Sequence, residues 1–436
     1  MPETSLEQVV DERRFAAALQ EQSASFFRLC NTLLAPGAAR WHKRHYFQLI
    51  SEAEALESFL DDYGARYNRT YCFFTELIAS VRGFALAGYS IAHLMGRLDS
   101  YNLGLSRNAA GMQGASRSID DCWTFINHSI RDMLLACRGE AERLGMHVSR
   151  EALPEASFKP LIAKQKLPRN VDQTEPQDDR QKAAEVASKY LQACEMLEEL
   201  GVRRLSDPEE RRAFLLSHCN EEQARVYEAT VHNLQSAYDT HLKSSQIESG
   251  DERLGRLRGH VSAALHLLES VTYLTHFYER HETDLRSNEA KVRIGMIVDK
   301  VRVQDMILNH LLFWADLFMQ SGRPVAEAVL PQYTNAQELT VELGEELELH
   351  ARPASLIVGI VNHYGTPVEM EVAGRRCNAA SILELLVTVG SHPGEKRYVF
   401  RGDEKPLADI ATLFRYGLGE MGIDQLPSQL AYLRSK

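Results

Sequence analysis

A histidine and an arginine, His350 and Arg352, stand in the largely apolar stretch LELHARPASLIVGIV. Pro353 and the leucine-rich run after it predict a helix that begins at about Ala351, with His350 as its N-cap. The first-turn N–H groups and the helix dipole then favour a dianionic phosphoryl group on the imidazole, and they disfavour the charged form of the ring. Arg352 could hold two phosphoryl oxygens at once. The pattern is typical of a phosphohistidine site.

Three other groups of residues could do chemistry, and each has a plainer explanation. The run WHKRHY, residues 41–46, mixes bases and aromatics like a nucleic-acid patch, but it is short and predicts a solvated helix face. Glu269, His276 and Glu279 could share one helical face, yet no matching Glu-x-x-His motif occurs on the neighbouring helices. The cysteines have no histidine partner at a recognisable spacing. We expect neither a metal ion nor any other cofactor.

The elements around His350 belong to a long, acidic chain. Its 436 residues exceed what a single core usually fills, which predicts several domains. The formal net charge of −11 argues against nucleic acid as a partner. The most apolar stretch, residues 72–95, is interrupted by Glu76 and Arg82, so we expect no membrane segment. Seven widely spaced cysteines and an acidic N-terminus unlike a signal peptide predict a cytoplasmic protein.

Helical periodicity predicts an N-terminal helical domain at residues 1–150. A linker rich in Pro, Gln, Asp and Lys follows at 151–182. The helices expected in the N-terminal domain include those at about 41–62, 70–98 and 118–143.

Longer helices predict an antiparallel bundle at residues 183–322. Its features are a capped helix start at Ser206, an apolar seam at 254–278, and a last helix that ends at Gly322. Pairing of these helices between molecules is the lesser alternative, which leaves homo-oligomers open.

The pattern changes after a connector at residues 323–337, whose two prolines and few good helix formers predict a flexible joint. Residues 338–343, 368–372 and 396–400 alternate with period two, and helical stretches lie between them. The sequence therefore predicts a separate α+β domain at residues 338–436.

The C-terminal domain carries a recognisable set of motifs. His-x-Arg-Pro follows a predicted strand, the elements fit the order β-α-β-β-α-β-α, and Ser381 follows His350 at a characteristic spacing, with Gly390 and Gly394 later in the chain. This set resembles HPr, the histidine phosphocarrier protein of the bacterial phosphotransferase system, over about residues 338–422. The resemblance implies an open-faced α+β sandwich. The expected fold is therefore multidomain, with an all-α bundle region followed by a C-terminal HPr-like sandwich.

The resemblance also implies a site and partners. His350 would accept phosphate from an enzyme I-like donor and pass it to a downstream acceptor or regulated protein, with Arg352 stabilising the phosphoryl group. Ser381 would be the target of an HPr-type kinase, although Ser381 and Glu384 also form a capping box. An apolar surface would bind the partners, and it would consist of Leu356, Ile382, Leu383 and Leu386.

Two classes of function follow. The first is a phosphocarrier or a phosphorylation-dependent regulator that uses His350, a carrier of phosphoryl groups rather than a classical enzyme. The second is a non-catalytic interaction scaffold with a degenerate docking domain, which is favoured by Glu348 because acidic side chains repel phosphate. In the first class we expect the helical region to cover the docking surface and govern access to His350.

Overall fold

A computed structural model describes residues 9–35, 40–105, 111–158, 179–243, 245–282 and 288–435 of the chain. Most of the predicted linker, residues 159–178, lies outside these ranges. The described residues form two compact units. The first draws on Met1–Asn170, Leu197–Val231 and Ser262–Phe318, and the second on Val171–Met196, His232–Val261 and Met319–Lys436.

Helices make up the described chain before the sheet, as the sequence predicts. They are α1 (Glu12–Gln22), α2 (Ala24–Leu34), α3 (Lys43–Asp62), α4 (Cys72–Arg97), α5 (Met112–Arg143), α6 (Asp179–Leu200), α7 (Pro208–His218), α8 (Glu221–His241), α9 (Gln246–Gly250), α10 (Glu252–Glu282), α11 (Asn288–Ile297), α12 (Lys300–Asp305) and α13 (Phe313–Tyr333). A π-helix, Met306–Leu312, lies between α12 and α13.

The first unit is organised around α4, most of whose residues are buried between α3 and α5. Tyr46 on α3 donates a hydrogen bond to Asn127 on α5 at 2.7 Å, which fixes two of these helices to each other. Cys72–Tyr101, which includes α4, is the one helical stretch of the described chain long and apolar enough to cross a membrane. Because most of its apolar window is buried by the protein, this stretch has the character of a core helix.

Two predicted helix boundaries are wrong in detail. The cap of α7 is Asp207 rather than Ser206, since the Asp207 carboxylate accepts the N–H of Glu209 at 2.7 Å. The last bundle helix, expected to run unbroken to Gly322 from about residue 288, is divided, because Asp299 caps a new helix by accepting the N–H of Val301 at 2.9 Å. An acceptor side chain at such a position bonds the backbone N–H groups that would otherwise continue the preceding helix, so a new helix begins there.

The predicted helix end at Gly322 is also wrong. Helix α13 continues through Gly322, Pro324 and Pro331 to Tyr333, so most of the expected connector is helical. Gly322 serves close packing, because a Cβ there would collide with the ring of Tyr190. Burial of the α13 face against its neighbours outweighs the hydrogen bonds that the prolines remove.

The C-terminal domain has the predicted order β-α-β-β-α-β-α. Its strands form one antiparallel sheet in the order β1-β4-β2-β3. Three helices pack against one face over an apolar core that includes Met370 and Phe400. The elements are β1 (Ala336–Glu342), α14 (Ala351–Tyr364), β2 (Val368–Val372), β3 (Arg375–Asn378), α15 (Ile382–Gly390), β4 (Arg397–Asp403) and α16 (Glu404–Arg415).

The opposite face of the sheet is charged and carries its own ion pairs. Arg401 on β4 contacts Glu338 on β1 at 2.8 Å and Glu371 on β2 at 2.5 Å. Arg376 on β3 lies 3.2 Å from Glu371. With one apolar and one solvated face, the domain is an open-faced sandwich.

Two residues separate the last bundle helix from the sheet. Asn335 donates its backbone N–H to Asp403 at 2.7 Å and its side-chain amide to Glu404 at 2.7 Å. The N–H of Glu404 returns a bond to the Asn335 carbonyl at 3.0 Å. The joint between α13 and β1 is therefore fixed by hydrogen bonds, unlike the flexible joint that the prolines predict.

Helix α6 contacts the C-terminal domain at the end of α14. Gln181 donates to the carbonyl of Tyr364 at 3.1 Å. Gly365 ends α14 with a φ of 66°, and a Cβ there would lie 2.6 Å from Cγ of Glu185, so both backbone and packing favour glycine. This contact lies at the opposite end of α14 from His350. The contact of α6 with the second unit's C-terminal domain therefore does not cover the predicted docking surface.

The chain after α16 folds back over the domain as a C-terminal strap, residues 419–435. Its apolar side chains Leu426, Leu430 and Leu433 are buried in the domain core. The strap is also bonded to Asp409 on α16, whose side chain is almost completely buried. This carboxylate accepts hydrogen bonds from Tyr364 at 2.8 Å, from Tyr432 at 2.6 Å, and from Gln429.

The two tyrosines at Asp409 should ionise only at unusually high pH. Burial, and then the hydrogen bond to the Asp409 carboxylate, raises the pKa of both Tyr364 and Tyr432. Because the folded-state pKa is raised, their contribution to stability is complete below about pH 10, the usual tyrosine value, and is lost as the pH rises above it. Tyrosinate absorbance should therefore be the same for the native protein and Tyr432→Phe up to about pH 10. If Tyr432→Phe had less tyrosinate absorbance than the native protein below that pH, Tyr432 would already ionise there, which would contradict its raised pKa.

Candidate phosphoryl site

His350 occupies the predicted N-cap position of α14, but its side chain does not cap the helix. The backbone is extended, with φ −106° and ψ −168°, and the His350 carbonyl accepts the N–H of Ala354 at 3.0 Å. The ring makes no hydrogen bond to the first turn, and about half of the side chain, 52%, is exposed. The imidazole is thus held at a helix N-terminus and remains open to solvent.

A carboxylate that the sequence analysis missed lies beside this ring. Oε1 of Glu420 is 3.1 Å from Nε2 of His350, which is an ion-pair distance. Glu420 is placed there by the turn Gly417–Gly419, in which Leu418 is fully buried and adopts a left-handed φ of 57°. Nε2 of the ring therefore faces a carboxylate, whereas Nδ1 makes no hydrogen bond within the described residues.

Arg352 lies in the first turn of α14 and is exposed. No ion pair or side-chain hydrogen bond involves its guanidinium within the described part of the chain. The backbone N–H groups of Ala351 and Arg352 precede the first intrahelical bond of the helix, and Pro353 has no N–H to satisfy. A guanidinium and two N–H donors are therefore available beside His350 for an anion.

The approach to His350 carries charges of both signs. Glu348 is exposed, as the sequence predicts for an acidic approach. Lys396, which the sequence analysis did not select, donates to the carbonyl of Leu347 at 2.6 Å and fixes the turn before the histidine. Lys396 and Glu420 thus add one charge of each sign near His350 that the sequence analysis did not consider.

Ser381 caps α15, and the predicted capping box is only half formed. The Ser381 hydroxyl accepts the N–H of Glu384 at 3.3 Å. The Glu384 carboxylate accepts the N–H of Asn378 at 3.0 Å instead of that of Ser381. The hydroxyl is therefore committed to the helix start, at a place where the dipole of α15 would also favour a negative charge.

The four residues predicted to form the apolar docking surface differ in their exposure, and Leu356 is a correction. Ile382 and Leu383 are exposed, by 41% and 70%, while Leu386 is partly buried against the core. Val387, which shares the face of Leu383 at a spacing of four residues, is also exposed and was missed. Leu356 does not belong to this surface, because it is buried beneath Gly419 of the strap.

Comparison with protein families gives a match within the C-terminal domain. Residues 337–396 match the family model described as the PTS HPr component phosphorylation site, and His350, Arg352 and Ser381 lie inside the match. Glu420 and the strap lie beyond it. No curated protein and no solved structure matches the chain. The C-terminal region therefore contains an HPr-like domain, and the helical region before it has no family match.

Proposed function

We propose that this chain is a phosphocarrier or phosphorylation-dependent regulator of the phosphotransferase system that accepts a phosphoryl group on His350. The observation that supports this role best is the exposed imidazole at the start of α14, which makes no cap bond and faces Glu420 through Nε2. An enzyme I-like protein would be the donor, and the cytoplasm would be the location. The exposed residues Ile382, Leu383 and Val387 would contact such partners.

The transfer would proceed by attack of the Nδ1 lone pair on phosphorus. A new P–N bond forms while the bond between phosphorus and the donor breaks, and the donor retains that electron pair. Arg352 and the N–H groups of Ala351 and Arg352 would hold the phosphoryl oxygens. The positive charge that develops on the ring would be stabilised by the Glu420 carboxylate, 3.1 Å from Nε2.

Incubation of the full chain with two phosphoryl donors tests the proposal. One is enzyme I with phosphoenolpyruvate, and the other is phosphoramidate, a small donor that needs no docking surface. Acid-labile phosphate on His350 from both donors is the expected result. Labelling by phosphoramidate alone would support a competent site with a different protein donor. No labelling from either would favour the interaction scaffold, whose docking surface on α15 would remain.

Glu420→Gln should alter which ring nitrogen is phosphorylated. A glutamine amide can donate to Nε2 as well as accept from it, so it no longer favours one tautomer, and it carries no charge to stabilise the ring cation. We therefore expect a mixture of isomers and about tenfold slower transfer. Phosphorus NMR of the labelled chain distinguishes the two isomers. Asp424→Asn is the matched control, because it removes an exposed carboxylate of the same strap. Unchanged isomer content in Glu420→Gln would remove the proposed role of this residue.

A regulatory role for Ser381 is a further part of the proposal. A phosphoryl group there would need the hydroxyl to give up the N–H of Glu384. Labelling by an HPr-type kinase, and its loss in Ser381→Ala, would test this role separately from His350.

A further inference from the structure

The C-terminal strap touches α14 along its whole length. Glu420 meets His350 at the first end, and Gly419 lies over Leu356, where a Cβ would come within 3.0 Å of the leucine side chain. Further along, the Leu433 side chain fills the space above Gly359, 2.9 Å from where a Cβ would be. At the last turn, the ring of Tyr432 stacks on His363 with centroids 3.7 Å apart.

The far end of the strap is anchored more firmly than the end at His350. Tyr432 donates to the buried Asp409 carboxylate at 2.6 Å, and Gln429 donates to the same group. Arg434 closes the strap on itself by donating to the carbonyls of Asp424 at 3.1 Å and of Leu426. A buried carboxylate with several donors holds its neighbours in one arrangement, because each unmade bond would be costly.

The contact between Glu420 and His350 is too weak to fix the position of the Glu420 carboxylate by itself. Glu420 is about one-third exposed and His350 about half exposed, and surface ion pairs of this kind contribute little free energy. The position of the carboxylate must therefore come from the backbone that carries it. That backbone is held by the buried Leu418 on one side and by the anchored far end of the strap on the other.

We propose that the strap is a positioning element of the phosphoryl site, with Tyr432 and Asp409 as positioning residues that act on His350 through Glu420. The proposal rests on the proposed function and extends it to residues outside the family match. Tyr364 bonds both Asp409 and, through its carbonyl, Gln181 of α6. The reactivity of His350 thereby depends on the end of α14 where the helical region makes contact.

A double-mutant cycle on the full chain tests the proposal. Tyr432→Phe, Glu420→Gln and the combined variant are compared for the isomer ratio of phosphohistidine formed with phosphoramidate. Nitrogen NMR of the unphosphorylated His350 ring gives the ratio of its two tautomers as a second readout. Tyr416→Phe, an exposed tyrosine just before the strap, is the matched control. Thermal melting confirms that each variant is folded.

We expect Tyr432→Phe to reduce the preference for Nδ1 about threefold in the native background and not at all in the Glu420→Gln background. The tautomer ratio should change in the same pattern, and Tyr416→Phe should change neither readout. Equal effects of Tyr432→Phe in both backgrounds, or none in either, would overturn the proposal. If no variant is phosphorylated, the proposed function fails, and the tautomer ratios still decide whether the strap positions Glu420.

Discussion

His350→Ala is expected to leave no acid-labile phosphate on the chain after incubation with enzyme I and phosphoenolpyruvate. Alanine offers no nucleophile at the start of α14. The fold should persist because the His350 ring makes no cap hydrogen bond, so the loss in stability should not exceed the about 0.5–2 kcal/mol typical of an N-cap replacement. Mass spectrometry under alkaline conditions measures the label, and thermal melting measures the stability.

The matched control for this variant is His128→Gln, which removes another exposed histidine, on α5. It should be labelled as the native chain is. A fully labelled His350→Ala chain would assign the phosphate to a different residue and would end the proposal for this site.

Arg352→Lys should slow phosphoryl transfer by about tenfold, and Arg352→Ala by about a hundredfold, as expected for lost donors to a developing anion. An ammonium group is a point donor and cannot make the paired contacts of a planar guanidinium. Stability should be nearly unchanged, because Arg352 is exposed and forms no ion pair within the described residues. Initial rates of labelling by phosphoramidate give the effect without any contribution from protein docking.

Arg415→Lys serves as the control for charge alone, since Arg415 is an exposed arginine at the end of α16. Its rate should equal that of the native chain. If Arg352→Lys also matched the native rate, Arg352 would contribute charge only, and the two-pronged contact would be absent.

Local motifs predicted where the helix of the candidate site begins. The order of His350, Arg352 and Pro353 defines a helix start through interactions within one turn, and the structure confirms that start. Period-two alternation likewise predicted β2 with its observed ends, because its inward side chains are apolar and its outward ones charged.

The environments of Glu420 and Leu356 could not be predicted from local sequence patterns, because both depend on tertiary contacts. Glu420 reaches His350 only through the turn at Leu418, and no sequence pattern near either residue signals that contact. Leu356 was assigned to the docking surface because a short apolar helix does not reveal which of its faces is covered. The strap covers it, and the strap's own place on the domain is set by tertiary packing.

The error at Gly322 has a different origin. Glycine and proline usually end helices, but Gly322 is required where the ring of Tyr190 approaches the backbone of α13. Glycine followed by proline usually indicates a helix end. In this chain the glycine instead marks a close contact between two helices. The connector prediction failed for the same reason, since Pro324 and Pro331 lie inside the packed helix.

The hydrogen-bonded joint at Asn335 affects how His350 meets its partners. A small free carrier tumbles by itself and presents its site in all directions within nanoseconds. Here β1 starts two residues after α13, and Asn335 ties the joint to Asp403 and Glu404, so the domain rotates with the helix that precedes it. In each encounter, the partner must therefore approach this larger body in the orientation that faces His350. The fraction of encounters that leads to phosphoryl transfer should be smaller than for a free domain with the same surface.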